Sequence, residues 1–257
     1  MTEHEIRNCL STSVFGRKIY AFETIDSTNT FARSLISNGG QEGTLVVSEE
    51  QTAGHGRFGR PWISERGKSL TFSVLLRPSI PADRLGILSL LAALAVARAI
   101  HELTSLRPDC KWPNDVLLNG KKVCGILSEG TSTGNSLSGV VVGIGLNVNQ
   151  SVFPAEIQET ATSLLSEAGG PVDRIRLLGL VMHHLELCYR HIQSRDTGRI
   201  IALWQEWSTM IGKPVSVSRD GESIQGIAGA LHQDGSLLLR TNGNELKILA
   251  GDVTVIS

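Results

Sequence analysis

The stretch Gly54–Trp62, GHGRFGRPW, alternates three glycines with basic side chains and closes on Pro-Trp. Glycine lets the backbone reach positive φ and brings its N–H groups close to a ligand. Arginine adds forked donors that suit a carboxylate or a phosphate. The stretch, called the glycine-basic loop below, therefore predicts a segment that closes around an anion. A solvated basic turn is the alternative. The glycine-basic loop is not a Walker loop, because the spacing G-x-x-x-x-G-K-[ST] is missing.

The composition of the whole chain bounds its class. The 257 residues are 41% hydrophobic and 19% charged, which is ordinary for a globular protein of one large domain, or one large and one small. The net charge of −1 argues against broad nucleic-acid binding and makes the basic loop a local feature. We expect no DNA partner.

Cysteine usage and the N-terminal sequence bear on the compartment. Cys9, Cys110, Cys124 and Cys188 are scattered without a C-x-x-C pair, which argues against a zinc site and against a disulfide framework. The N-terminus MTEHEIRNCL lacks the pattern of a signal peptide. The longest apolar region, Leu85–Ile100, is shorter than a membrane span. A cytoplasmic protein without a membrane partner is expected.

Periodicity predicts helices together with strands that form a sheet. A helix apolar on nearly every face, capped by Asp83 and running through Leu103, is expected to pack under that sheet. Asn119-Gly120 predicts a hairpin turn. The predicted strands are Lys18–Glu23, Thr44–Glu49, Ser69–Leu76, Cys110–Leu118, Lys122–Gly130 and Leu137–Asn149. A second helix is predicted to begin at Asp26–Asn29 and to end at Gly39-Gly40. Three further helices are predicted at Thr162–Ala168, Asp173–Gln193 and Gly198–Met210.

The texture of the sequence changes near Met210–Lys213, where we place a domain boundary. Short strands follow, separated by Asp220-Gly221, Asp234-Gly235 and Asn242-Gly243, and they predict a small β-barrel or meander. The predicted domains are residues 1–211 and 212–257.

Four polar clusters stand out against the apolar background. They are Ser27-Thr28-Asn29 at a helix start, Gln51 with the glycine-basic loop, Lys111–Asp115 (KWPND) followed by Lys121-Lys122, and Gly143–Asn149 (GIGLNVN). Each also has a purely structural interpretation. These are helix N-capping for the first, a solvated turn for the second, an irregular hairpin with solvated lysines for the third and packing glycines for the fourth.

In this order the clusters resemble the biotin protein ligase family over nearly the whole chain, from about Ile25 to Ser257. The glycine-basic loop, K-W-P-N-D, K-x-x-G-I-L and G-I-G-L-N-V-N carry the resemblance together. It resembles the short class of the family, without an N-terminal DNA-binding domain. The resemblance implies an α+β fold, in which helices flank a mixed β-sheet in a class II synthetase-like catalytic domain and a small SH3-like β-barrel follows.

The implied reaction is ATP-dependent ligation. Biotin is activated as biotinyl-5′-AMP with release of pyrophosphate, and biotin then passes to a lysine of the biotin carboxyl carrier protein of acetyl-CoA carboxylase or a related carboxylase. Bringing a carboxylate to a polyphosphate requires charge neutralisation, so Mg²⁺ on the ATP phosphates is expected, near Asn114 and Asp115. Members of the family often pair through the central sheet, so the resemblance allows a homodimer, but no stretch of the sequence fixes the oligomeric state.

The resemblance assigns roles residue by residue. Lys122, Arg57 and Asp115 are implied to be catalytic, with Asp115 orienting the carrier lysine. His55 stands where most members have arginine or lysine, and that contact is expected to be weaker or pH-dependent. The implied biotin and nucleotide contacts are Ser27, Thr28, Asn29, Gln51, Gly54, His55, Gly56, Arg57, Arg60, Trp62, Asn114, Lys122, Gly125 and Asn147.

Three alternatives remain open from the sequence. A lipoate ligase or lipoyl/octanoyl transferase shares the fold that the resemblance implies. A biotin-responsive regulator without catalysis is a second alternative, and an inactive family member is a third. The presence of Lys122 and Arg57 argues against the third.

Overall fold

A computed structural model of the chain describes residues 1–133, 136–219 and 221–256. Its centre is a seven-stranded sheet in the order β1-β2-β3-β7-β6-β5-β4, in which β1 and β2 pair parallel and the other neighbouring strands pair antiparallel. The strands are β1 Ile19–Ile25, β2 Leu45–Gln51, β3 Ser69–Leu76, β4 Asp109–Lys111, β5 Asp115–Leu118, β6 Lys121–Thr133 and β7 Ser136–Asn147. The helices are α1 Glu3–Cys9, α2 Thr28–Ser37, α3 Gly86–Thr104, α4 Leu164–Ala168, α5 Arg174–Gln193 and α6 Thr197–Glu206.

The two faces of this sheet carry different layers. Val46, Leu75 and Val141 form a small buried cluster with Ala32 and Ile36 of α2. Their neighbours along the strands face the main core, which contains α3, α5 and α6. Because successive strand residues point to opposite faces, the alternation along β2, β3 and β7 places α2 alone on one side. This confirms the mixed sheet flanked by helices.

The long apolar helix lies under the sheet as predicted, but it begins later than expected. Asp83 belongs to a short 3₁₀ turn, Ala82–Arg84, and α3 starts at Gly86 without a side-chain cap. The segment Ala82–Thr104 is long and apolar enough by composition to cross a membrane, and 67% of its apolar 18-residue stretch is buried inside the protein. Its hydrophobicity is therefore accounted for by the core.

The predicted strand Cys110–Leu118 is wrong as a single element. The chain turns back at Trp112-Pro113, whose peptide bond is cis, so that β4 and β5 pair antiparallel. Proline has no N–H for a sheet ladder, which explains why the strand is interrupted at this point. The hairpin turn at Asn119-Gly120 is confirmed, with φ of 48° and 79°. Both values suit a type I′ turn.

The C-terminal part of the chain forms a five-stranded antiparallel sheet in the order β11-β10-β9-β8-β12. Its strands are β8 Pro214–Arg219, β9 Glu222–Leu231, β10 Leu237–Thr241, β11 Asn244–Ile248 and β12 Asp252–Val255. The sequence missed β12 and also α1. Trp112 Nε1 donates to the carbonyl of Gly235 at 2.9 Å, joining this sheet to the β4–β5 bend. Of the three predicted turn dipeptides, Asp220-Gly221 falls partly outside the described residues, because Asp220 is not among them.

Candidate active site

A cavity of about 600 Å³ opens on the α2 face of the central sheet. Towards one end of the strands, the apolar residues of this face give way to small or polar ones. Thr71 pairs with Gly145, and Gly145 pairs with Gly125, across β3, β7 and β6. Because these positions carry little side-chain volume, the face is hollow where the neighbouring part is filled by α2.

One wall of the cavity is a hydrogen-bonded group at the start of α2. Ser27 is the N-cap residue, so the structural interpretation of the polar trio is correct for it. The Thr28 N–H and hydroxyl both donate to Gln51 Oε1, at 2.7 and 3.0 Å. The hydroxyl of Ser73 lies 2.8 Å from Thr28 Oγ1 and 2.6 Å from Asn29 Oδ1. The trio and Gln51 are thus brought together, with Ser73 as a bridging residue that the sequence did not reveal.

Asn29 leads from this wall to a carboxylate that the sequence also missed. Its Nδ2 donates to Glu129 Oε2 at 2.7 Å, and Arg33 donates to Glu129 Oε1 at 3.0 Å. His55 Nε2 lies 3.9 Å from Glu129 Oε2. The only hint in the sequence was an acidic residue in a mostly apolar strand. His55 is therefore oriented towards a carboxylate at the edge of the cavity.

The glycine-basic loop folds as a narrow hairpin over the cavity. The Gly56 N–H donates to the Arg60 carbonyl at 2.8 Å, and the Trp62 N–H donates to the Gly54 carbonyl at 2.9 Å. Gly54 itself does not line the cavity, and a Cβ there would lie 2.7 Å from Gln51 Nε2. Gly54 thus makes room for Gln51, whereas the sequence predicted a direct ligand contact.

Trp62 lies across the glycine pair that forms the floor. A Cβ on Gly145 would overlap the indole ring, and one on Gly125 would lie 3.0 Å from Trp62 Cζ3 and 3.0 Å from Lys122 Cε. The absence of a side chain at Gly125 and Gly145 therefore leaves space for the side chains of Trp62 and Lys122. Trp62 Nε1 is buried and has no hydrogen-bond partner among the described residues. It is a donor available at the cavity wall.

Lys122 and Asp115 meet at the other end of the cavity. Lys122 Nζ lies 2.6 Å from Asp115 Oδ1, and the two side chains are 36% and 19% exposed. Asn114 Nδ2 donates to the carbonyl of Ile126 at 2.6 Å, and its Oδ1 accepts from Arg57 at 3.2 Å. Burial lowers the pKa of Arg57, while the carboxylates of Asp252 and Asp115 oppose that shift. An ammonium and a guanidinium are thus held at one mouth.

Asn147 is fixed beside this mouth. Its Nδ2 donates to the Thr162 carbonyl at 3.0 Å, and its Oδ1 accepts from Gln150 at 3.2 Å. Gln150 Oε1 and Thr71 Oγ1 are buried without a partner in the described part of the chain. Neither Gln150 nor Thr71 was predicted, because each belongs to a segment that reads as ordinary strand or loop.

The structure therefore gathers nearly every predicted site residue around one cavity. Among the described residues, no group of three or more His, Cys, Asp or Glu side chains is placed to hold a metal ion. The predicted residues that line the cavity are Ser27, Thr28, Asn29, Gln51, His55, Gly56, Arg57, Arg60, Trp62, Asn114, Asp115, Lys122, Gly125 and Asn147.

Comparison with known proteins agrees with this geometry. Residues 21–147 match the Biotin/lipoate A/B protein ligase family, and residues 210–255 match the Biotin protein ligase C terminal domain. The chain is 38% identical over 255 residues to the Bifunctional ligase/repressor BirA of Bacillus subtilis, covering 98% of this chain and 78% of that protein. The chain belongs to the biotin protein ligase family.

Other biotin protein ligases agree along their full length. The Biotin--[acetyl-CoA-carboxylase] ligase of Mycobacterium tuberculosis is 34% identical over 261 residues, covering 98% of this chain and 95% of that protein. The solved biotin protein ligase from Aquifex aeolicus in complex with biotin and ATP has a TM-score of 0.80 at 28% identity, covering 93% of this chain and 100% of that chain. The region that matches the Biotin/lipoate A/B protein ligase family contains the glycine-basic loop, Lys122 and Asn147. The region that matches the Biotin protein ligase C terminal domain contains Asp252.

Proposed function

We propose that this chain activates biotin with ATP as biotinyl-5′-AMP, releases pyrophosphate, and transfers biotin to a lysine of a biotin carboxyl carrier protein. One observation carries the proposal. The Lys122–Asp115 pair, at 2.6 Å, lines the same cavity as the polar group at the start of α2, under a loop that supplies two arginines. A polar end for a neutral ring and a cationic end for phosphates are what the two substrates require.

The α2 end of the cavity suits the ureido ring of biotin. That ring offers one carbonyl acceptor and two N–H donors, so its pocket needs both kinds of partner. Ser27 and Gln51 supply hydroxyl and amide groups there, and Thr28 and Ser73 fix the orientation of Gln51 and Asn29. Trp62 and the Gly125–Gly145 floor give the fused rings and the aliphatic chain an apolar bed.

Lys122 and Arg57 suit the activation step. A carboxylate oxygen of biotin bonds to the α-phosphorus of ATP while the bond to the β-phosphate oxygen breaks, and pyrophosphate leaves. Negative charge accumulates on the α-phosphate oxygens, and fixed cations in a partly buried site stabilise it more than water would. Holding the two anions in line contributes further.

Asp115 suits the transfer step. The carrier lysine must be neutral to attack the acyl carbon, and its ammonium has to approach and lose a proton first. The Asp115 carboxylate lies beside Lys122, at the cavity end where the acyl phosphate forms. We assign it the role of receiving and orienting the incoming amine, after which AMP leaves with the electron pair of the cleaved C–O bond.

Mg²⁺ would arrive with ATP rather than occupy a protein cage. Magnesium typically keeps several waters and takes one or two carboxylates together with substrate phosphates. Asp115 is the carboxylate nearest the Lys122 end, and Asn114 adds an amide oxygen that is already engaged with Arg57. These residues fit such a metal, whose bound form would neutralise the leaving pyrophosphate. Asn147, fixed by Gln150 and Thr162, is assigned to the nucleotide.

We also propose that the protein is cytoplasmic and forms a homodimer. Sedimentation of the purified chain tests the dimer. The boundary between residues 211 and 212 is likewise proposed, on the change of texture at Met210–Lys213 and the antiparallel sheet that follows.

Incorporation of labelled biotin into a purified carboxyl-carrier domain, with ATP and Mg²⁺, tests the function. We expect label in the carrier with wild type and none above background with Lys122→Ala. Labelled lipoate with a lipoyl domain serves as the second arm. Incorporation of lipoate instead of biotin would overturn the proposal in favour of the lipoate branch of the same family.

A further inference from the structure

Two arginines of the glycine-basic loop reach the C-terminal sheet through one carboxylate. Arg60 Nη2 lies 2.5 Å from Asp252 Oδ2, and Arg57 Nη1 lies 3.5 Å from Asp252 Oδ1. Arg57 Nη1 also donates to the Gly251 carbonyl at 3.2 Å. The loop is thus held by the residues at the start of β12, and Arg60 and Asp252 are 192 residues apart in the sequence.

The position of this carboxylate is set by the C-terminal sheet. Asp252 begins β12 and pairs with Ser218 of β8, and the next residue, Val253, is 1% exposed. Because Val253 anchors the strand in the core, the backbone at Asp252 has little freedom. Asp252 is also among the residues that line the cavity.

Exposure argues against a role that is mainly one of stability. Arg60 is 66% exposed and Asp252 is 38% exposed, and exposed ion pairs contribute little to folding. Arg57 differs, since it is 21% exposed and shares its donors among Asn114, Gly251 and Asp252. One carboxylate facing two guanidiniums orients both while leaving a net positive charge directed at the cavity.

We infer that Asp252 is a positioning residue, through which the C-terminal sheet holds Arg57 and Arg60 over the cavity in the pose that receives ATP and retains the adenylate. This inference rests on the proposed function for its ligands, but the contact itself does not. Ordering the nine loop residues costs conformational entropy, so a fixed anchor at the edge of the cavity reduces what substrate binding must supply. Phosphate oxygens then meet guanidiniums that are already in place.

The test compares Asp252→Asn, Asp252→Glu and the matched control Glu245→Gln, an exposed carboxylate elsewhere on the same sheet. The first readout needs no catalysis. Hydrogen exchange of the amides of residues 54–62, without ligand, should be about 10-fold faster in Asp252→Asn and unchanged in Glu245→Gln. Exchange that is equal in all variants would overturn the inference, whatever the activity.

The second readout uses the reaction. For Asp252→Asn we expect about a 10-fold rise in the KM for ATP and in the release rate of biotinyl-adenylate. The KM for biotin should change less than about 2-fold. Asp252→Glu should restore most of the wild-type values. A biotin KM that rises as much as the ATP KM would indicate general damage to the cavity and overturn the inference.

Two further variants protect the test against misfolding. Arg60→Gln removes the same ion pair without touching β12, and it should reproduce the faster loop exchange. In a background of Arg57→Gln with Arg60→Gln, Asp252→Asn should have no further effect on loop exchange, because its partners are gone. An undiminished effect in that background would contradict the inference. If the loop amides of the wild type exchange slowly but the wild type makes no biotinyl-adenylate, the proposed function is contradicted and the inference about Asp252 is not.

Discussion

Lys122 Nζ lies 2.6 Å from Asp115 Oδ1 at the cationic end of the cavity. The ion pair keeps the ammonium directed along the cavity wall before any phosphate is bound. A phosphate oxygen can then share the ammonium, because –NH₃⁺ carries three donors. Two roles in the two chemical steps are thus joined in one contact, and they can be separated by substitution.

Asp115→Asn should impair transfer far more than activation. The amide keeps the shape of the carboxylate but cannot accept the proton of the carrier lysine. We expect transfer from preformed biotinyl-adenylate to fall by about 100-fold or more. Adenylate formation should fall by less than about 10-fold. Single-turnover assays of each step measure the split, and equal losses in both steps would contradict the role of Asp115 in transfer.

Arg57→Gly should loosen retention of the adenylate. The substitution removes the donors to Asn114 and to the Gly251 carbonyl together with a cation over the cavity. Release of free biotinyl-adenylate in the absence of carrier should rise by about 10-fold or more. Arg66→Gly is the control, since Arg66 pairs with Glu23 and does not line the cavity. Release no faster than in that control would count against the assignment.

Gly145→Ala should damage the floor of the cavity. The added methyl group would overlap the Trp62 indole, which must then move into the proposed biotin site. We expect the KM for biotin to rise by about 10-fold or more, since overpacking costs about 1–3 kcal/mol. Trp62→Phe, whose smaller ring vacates the contact, should restore part of the loss. Gly198→Ala is the control, because a Cβ there meets nothing within 4 Å. If the effects of Gly145→Ala and Trp62→Phe on the KM for biotin are additive, Trp62 is not the group that the added methyl meets.

Glu186→Gln should lower stability in a pH-dependent way. Burial raises the pKa of Glu186, but donation from the N–H groups of Phe15, Val14 and Ser13 outweighs it, and the net pKa is lowered. A lowered pKa in the folded state means that the carboxylate stabilises the fold above its unfolded pKa, and that this is lost as the pH falls through the folded value.

The loss at neutral pH should be about 2 kcal/mol, the scale of hydrogen bonds to a charged group. Urea unfolding of wild type and Glu186→Gln at pH 7, 5 and 3.5 measures it, with the difference shrinking at the lowest pH. A difference that is the same at all three values would mean that the carboxylate charge is not involved. Glu167→Gln, a change of the same kind on another helix, is not a suitable control because Glu167 accepts from Asn119 and Thr162. The control is therefore Glu206→Gln, at the end of α6.

Local patterns predicted the parts of this protein that depend on local physics. Ser69–Leu76 is a strand with the predicted bounds, the helix predicted at Asp173–Gln193 is α5, and Asn119-Gly120 turns a hairpin. The residues of the cavity were predicted largely because the family resemblance groups motifs that lie far apart in the chain. Periodicity alone left each motif with a structural alternative.

What the sequence missed depends on tertiary contacts. Asp252 bears on the loop only because β12 completes a sheet beside it, and Glu129 only because α2 lies across β6. Gly54 read as a ligand contact but makes room for Gln51. Asp83 read as a helix cap, although the chain first makes a 3₁₀ turn. At Gly54 and Asp83 the pattern identified a special position, and the packing around it decided the role.

The most direct measurement is biotin-dependent exchange of labelled pyrophosphate into ATP, without carrier protein. It reports formation and reversal of the adenylate and depends on no assumption about the acceptor. The account predicts exchange with biotin, Mg²⁺ and wild type, a loss on the order of 100-fold in Lys122→Ala, and no exchange with lipoate in place of biotin. Exchange that is independent of biotin, or equally strong in Lys122→Ala, would contradict it.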